Sequence, residues 1–280
     1  MDASQKVNQE KRLGNQVGLR RWALAALALG DPLEKCLAVH ALVEDVIDTA
    51  ALLDPLPGLP GRPARPELVP PAQVPRRAMS TVEGRAALLH ALAHIEFNAI
   101  NLALDIIWRF PGMPETFYQE WRQVAVEEAA HFGMLARRLQ ALGYAYGDFP
   151  AHNGLWEMAE KTRDDLLARI ALVPRTLEAR GLDASPPIRR RLAQAGDNES
   201  AAILDIILRD EVGHVAIGNY WYKWLCARQG RDPVATYEQL AQQYQAPRLR
   251  GPFNLDARRA AGFDEAELQA LQRLAAQPQV

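Results

Sequence analysis

Apolar residues recur at three- and four-residue spacing through several long stretches of the chain, and no stretch alternates apolar and polar residues as a strand would. The pattern therefore predicts an all-α protein. Residues 17–53 carry helical periodicity, broken at Gly30-Asp31-Pro32 and ended at Asp54-Pro55. Residues 54–80 hold prolines at 55, 57, 60, 63, 66, 70, 71 and 75, which favours an extended strap and forbids a helix. From Thr81 to Arg109 the helical spacing runs for about eight turns. Pro111-Gly112-Met113-Pro114 ends that helix, and Pro114-Glu115 opens the next, which reaches about Leu142. A further helical stretch covers 155–180, with Thr162 as an internal restart and Pro174 as a kink. Ser185-Pro186-Pro187 is expected to begin a short helix that stops at Gly196, and Asp197 to cap a long helix over 198–228. Long helices joined by short turns predict an antiparallel four-helix bundle. The expected organisation is one domain over 1–280: N-terminal helices at 17–53, the strap at 54–80, the bundle at 81–228 and a C-terminal extension at 229–280.

Composition narrows the function classes. Hydrophobic residues make up 49% and charged residues 24% of the 280, which fits a folded globular chain. A net charge of −2 gives no basic footprint for nucleic acid. Cys36 and Cys226 stand 190 residues apart and read as buried thiols, not as a disulfide framework or a zinc site. Arg20-Arg21-Trp22 and the short apolar run after it imitate a signal peptide, but Gly30-Asp31-Pro32 cuts the run short. No bilayer-spanning segment is expected, and the expected location is the cytoplasm.

Two of the long helices carry the same pattern, Glu127-Glu128-Ala-Ala-His131 and Asp210-Glu211-Val-Gly-His214. Each puts a carboxylate and an imidazole one turn apart on one helix face. Glu96 precedes Glu128 by 32 residues, and their midpoint, residue 112, is the glycine of the first turn. Glu178 precedes Glu211 by 33 residues, with its midpoint beside Gly196. Folding back at each turn would bring the paired glutamates to one height. Glu96, Glu128, His131, Glu178, Glu211 and His214 then form a candidate six-ligand metal site, and di-metal carboxylate bundles use this donor set.

The residue types fit that chemistry. Four carboxylates and two neutral imidazoles balance two divalent cations in a low-dielectric core. Hard oxygen and nitrogen donors suit iron or manganese, alone or mixed, whereas structural zinc prefers thiolates. A ligand histidine commonly donates its other ring N–H to a carboxylate. By pseudo-symmetry Asp210 would hold His131, and Glu127 would hold His214.

These residues resemble the ferritin-like superfamily, which includes ribonucleotide reductase small subunits and the bacterial tRNA hydroxylase acting on 2-methylthio-N6-isopentenyladenosine. More specifically, the chain resembles a bacterial ferritin-like family catalogued as a domain of unknown function. The segments that carry the likeness are RPARPELVPP (62–71), HALAHIEFNAINLALD (90–105), EEAAHF (127–132), YGDFPAHNGLWEMAEKT (146–162), VPRTLEARGLD (173–183) and RDEVGHVAIGNYWYKWLC (209–226). The resemblance implies a ferritin-like helical bundle with a di-metal site at the six residues named above. It brings no established reaction.

Other residues compete for roles. Asp165, Glu157 and Glu160 are rivals of Glu178 for the fourth carboxylate. His90 and His94 read as hydrogen-bonded core histidines, with a substrate-pocket role open. His152 reads as a turn residue. His40 with Glu44, Asp45 and Asp48 reads as a polar outer face. Tyr220, Trp221, Tyr222 and Trp224 read as core packing, with a radical-bearing tyrosine as the rarer reading. Arg62, Arg65, Arg76 and Arg77 could line an anionic entrance or simply be solvated. The expected function is an O2-activating di-iron oxidoreductase or hydroxylase on a small organic substrate. Ferroxidase or manganese catalase-like activity on peroxide, and a non-enzymatic binding protein, are the alternatives. A tRNA substrate follows only from the family likeness.

Overall fold

The computed structural model describes residues 18–41, 46–75 and 77–276; residue 17, Glu44, Asp45 and Arg76, for which the sequence raised expectations, lie outside the described residues. Among the described residues the chain is all-helical, and its one strand-like pairing is a parallel bridge between Leu68 and Ala151. The helices are α1 (Leu19–Leu27), α2 (Pro32–His40), α3 (Val82–Arg109), α4 (Glu115–Ala141), α5 (Gly154–Lys161) and α6 (Leu166–Leu172). They continue as α7 (Arg180–Gln194), α8 (Asn198–Arg228), α9 (Pro233–Gln243), α10 (Leu255–Ala260) and α11 (Glu265–Ala276). Contacts divide the described residues into two compact units, those of 18–63 with 100–129 and those of 64–99 with 130–276.

In the first unit, Asp31 caps α2 through the Leu33 and Glu34 amides at 2.8 and 2.9 Å, with Pro32 at the first helical position. Arg20 of α1 is buried, and its guanidinium donates to the carbonyls of Ile107 (3.1 Å) and Trp108 (2.7 Å) at the end of α3. A cation there satisfies orphan carbonyls and complements the helix dipole. Arg20 also donates to the carbonyls of Asp48 (3.1 Å) and Ala51 (2.6 Å), while the Gly112 amide donates to Thr49 O at 2.7 Å. These long-range partners explain a correction: residues 46–53 are not helical, because their carbonyls serve Arg20 and the 111–114 turn instead of a local helix. Buried Lys35 ties Leu27 O, Gly61 O and Asn101 Oδ1 together. Gly61 lies so close to α1's end that a Cβ there would sit 2.2 Å from Ala28 O.

In the second unit, the Thr81 hydroxyl accepts from the Gly84 amide at the start of α3, and Asp197 accepts from the Ser200 amide at 3.1 Å to cap α8. The strap residues Glu67 and Val69 pair with Ala151. Two further expectations are corrected here. The helical stretch 155–180 breaks between α5 and α6 at the expected Thr162 restart, but in place of a simple kink Val173–Glu178 forms a π-helical turn around Pro174. There the Thr176 hydroxyl donates to Ala171 O at 2.7 Å, and the Ala179 amide reaches back five residues to Pro174 O. The second correction is that α7 does not begin at Ser185-Pro186-Pro187 but runs through it. Pro186 has no N–H for the carbonyl of Leu182, four residues back. The Asn254 side chain supplies that donor at 3.2 Å.

Helix α3 contains an 18-residue window apolar enough to cross a membrane, against the sequence expectation, and 67% of that window is buried inside the fold. Its apolarity serves the core.

Candidate metal centre

The mid-helix carboxylates and imidazoles are buried. Glu96 comes from α3, Glu128 and His131 from α4, and Glu211 from α8; each offers a ligand atom, and these atoms all lie within 4.8 Å of one another. The helical period explains the pairing within α4, since Glu128 and His131 are three residues apart and share a face. His131 stands between two carboxylates: its Nδ1 lies 3.3 Å from Glu96 Oε2 and its Nε2 lies 3.1 Å from Asp210 Oδ2. A proton on Nε2, donated to Asp210, leaves the Nδ1 lone pair facing the buried donor group.

Asp210 is only partly buried. Burial works against its charge, but hydrogen bonds from Arg209 and His131 hold its carboxyl below the usual range. Arg209 is exposed and donates to Asp210 Oδ1 at 2.7 Å and Oδ2 at 3.1 Å. The Arg209–Asp210–His131 chain thus runs from solvent to the donor group. The sequence signals Arg209 only through its place next to Asp210.

His214 is buried with its ring centroid 5.9 Å from that of His131, outside the close group of four. Glu178 is half-buried at the end of the π turn and is likewise outside that group. Glu127 accepts from Gln123 at 2.7 Å. Asp165 caps α6 through the Ala168 amide (3.0 Å) and accepts from Tyr244 Oη (3.2 Å), so its carboxylate is already engaged. Glu160 accepts from Trp156 at 2.9 Å, and Glu157 is exposed.

His90 and His94 are hydrogen-bonded within the fold. His90 Nε2 accepts from the Gly147 amide at 2.9 Å, and burial pushes its pKa down to about 4. His94 Nδ1 pairs with Tyr146 Oη at 2.8 Å and its Nε2 with His152 O at 3.1 Å. The turn residue His152 accepts from the Gly154 amide at 3.3 Å. His40 is exposed at the end of α2. Trp221 packs against Tyr220 and Trp224, and Tyr222 donates to Pro233 O at 2.6 Å. Arg77 is ion-paired to Glu83 and lies over the Phe149 ring, so it is no free anion donor. Cys36 and Cys226 are buried free thiols.

The donor group's chemistry fits divalent metal. Three glutamates this close could not all remain charged in a dry interior without a compensating cation. Oxygen donors with one imidazole match the preference of iron and manganese.

Residues 28–269 match the family described as "Protein of unknown function (DUF455)". The chain belongs to that family. A relative named "Uncharacterized protein", from Haemophilus influenzae (strain ATCC 51907 / DSM 11121 / KW20 / Rd), is 46% identical over 258 residues, covering 87% of this chain and 90% of the relative. No solved structure matches the chain. The DUF455 match spans all six expected ligands and also most of the C-terminal helices.

Proposed function

We propose that this DUF455 protein is a ferritin-like di-metal carboxylate protein holding two iron ions, and that it is an O2-activating oxidoreductase or hydroxylase acting on a small organic substrate. The observation that carries the reading is the buried group Glu96, Glu128, His131 and Glu211. Glu178 and His214, both from the second Glu and Glu-x-x-His half of the chain, complete the six-residue set. In this reading the four glutamates neutralise the ions, and both histidines present ring nitrogens from mid-helix positions. When bound, an iron pair supplies Lewis acidity and the electrons that O2 reduction requires. The chain's own part is to exclude water and to fix the ligands. Asp210 orients His131 by accepting its Nε2–H, and Arg209 keeps Asp210 ionised.

Metal analysis of freshly purified, unchelated protein tests this directly. About two iron ions per chain are expected, with both lost on Glu128→Ala. Protein free of iron and manganese would overturn the reading. Loaded protein should consume O2 under reduction. Peroxide disproportionation without O2 consumption would instead favour the catalase-like chemistry.

A further inference from the structure

The C-terminal helices grip the chain on both sides of Glu178. Before it stands Arg175, buried and ion-paired to Glu267 of α11. The Arg175 guanidinium carbon lies 4.6, 5.0 and 4.8 Å from the ring centres of Tyr222, Tyr237 and Phe263. Beside it, Thr176 Oγ1 and Tyr237 Oη are 3.2 Å apart. After Glu178, the carbonyl of Ala179 accepts from Arg258 of α10 at 3.3 Å, and Arg258 also forks onto Asp183 at 3.1 and 2.6 Å. Asn254 donates through its side chain to Leu182 O and through its amide to Asp183 Oδ1 at 2.8 Å.

Buried ion pairs contribute little net stability, because desolvation offsets their attraction, and in some proteins their role is to specify one arrangement of the chain over its alternatives. Here one of them holds a residue within a π turn and the other a residue just beyond it, and π turns are rare, occurring mostly as single-turn insertions at functional sites. Relaxation of that turn by one residue would rotate Glu178 by roughly 100° about the helix axis. A carboxylate ligand must be held to within about 0.5 Å of its working position.

We propose that the segment 254–267 is a positioning device for Glu178, with Arg175–Glu267 and Arg258–Asp183 locking the π turn so that the Glu178 carboxylate is presented as a metal ligand. This rests on the di-metal reading above. The C-terminal extension thereby serves the metal centre, and Glu267 acts on that centre only through Glu178.

The test is Mn2+ titration of the full-length protein, prepared metal-free and anaerobic, across a double-mutant cycle of Glu178→Gln and Glu267→Gln. Glu267→Gln should weaken Mn2+ binding about 10-fold or more, as loss of an outer support does. In the Glu178→Gln background the same change should have no further effect. Equal weakening by Glu267→Gln in both backgrounds would overturn the positioning role, as would unchanged affinities. The paired change Arg175→Met with Glu267→Met removes the clamp without leaving a lone buried charge. It should keep wild-type helicity while losing hydrogen-exchange protection over 175–183 and weakening Mn2+ to the same degree. A wild-type chain that binds neither Mn2+ nor Fe2+ sinks the di-metal reading together with this proposal, whereas two bound ions with unmoved affinities in the variants sink the positioning role alone.

Discussion

His131 Nε2 and Asp210 Oδ2 lie 3.1 Å apart, joining α4 to α8 at the edge of the buried donor group. The contact selects one tautomer of the ring and turns Nδ1 toward Glu96. Asp210→Asn can no longer accept with a charge and can offer an N–H instead. Metal affinity should fall about 10–100-fold, the usual effect of losing such a support. Chelator competition measures it. Unchanged affinity would mean that the contact does not orient the ligand.

Glu178 and Asp165 should separate cleanly. Asp165→Ala removes the α6 cap and should cost about 1 kcal/mol of stability while metal stoichiometry stays at the wild-type value. Glu178→Ala should lose metal. Loss of metal in the Asp165 variant would reassign the fourth carboxylate.

Arg20 satisfies carbonyls at the end of α3 and in the 48–51 segment. Arg20→Met keeps the apolar stem but orphans several of them, at roughly 1–3 kcal/mol for each buried group. A stability loss of about 3 kcal/mol is expected in urea denaturation. A loss under about 1 kcal/mol would show that water replaces the guanidinium readily.

His90 makes an acid-sensitive contact. Its folded pKa, about 4, lies below its ordinary 6.5 because burial disfavours the imidazolium. Between these values the unfolded chain binds more protons than the folded one, so stability is fully present above about 6.5 and declines as pH falls toward 4. His90→Gln should flatten that limb of the stability–pH curve. An unaltered limb would place the acid sensitivity elsewhere.

Much of the architecture was written locally. Asp197 caps α8 as expected, Asp31 and Thr81 cap α2 and α3 at the places where the helical pattern restarts, and Pro111–Pro114 turns the chain between α3 and α4. The helical period also placed Glu128 and His131 on one face of α4. What escaped depends on distant partners. Residues 46–53 give their carbonyls to Arg20 and Gly112 instead of to a helix, and α7 passes through Pro186 because Asn254 replaces a donor that the helix lacks. The π turn arises where Pro174 meets Gly218 on α8, whose missing Cβ leaves room for the ring; a Cβ there would sit 3.1 Å from Pro174 Cβ. Arg20 did leave a trace, as a charge on the same face as Leu19, Ala23 and Leu27. The partners of Arg175 and Arg258 left none, since the Arg175–Glu267 pair spans 92 residues.

The π turn of Val173–Glu178 also bears on chain length. One residue beyond the α-helical repeat is stored there, so deleting a single residue should be absorbed as an ordinary helical turn with little loss of fold. Everything before the turn would keep its phase relative to α7 only by giving up that stored residue. At most positions in a buried helix a one-residue deletion scrambles the core; at this one it would leave a folded protein with Glu178 turned another way.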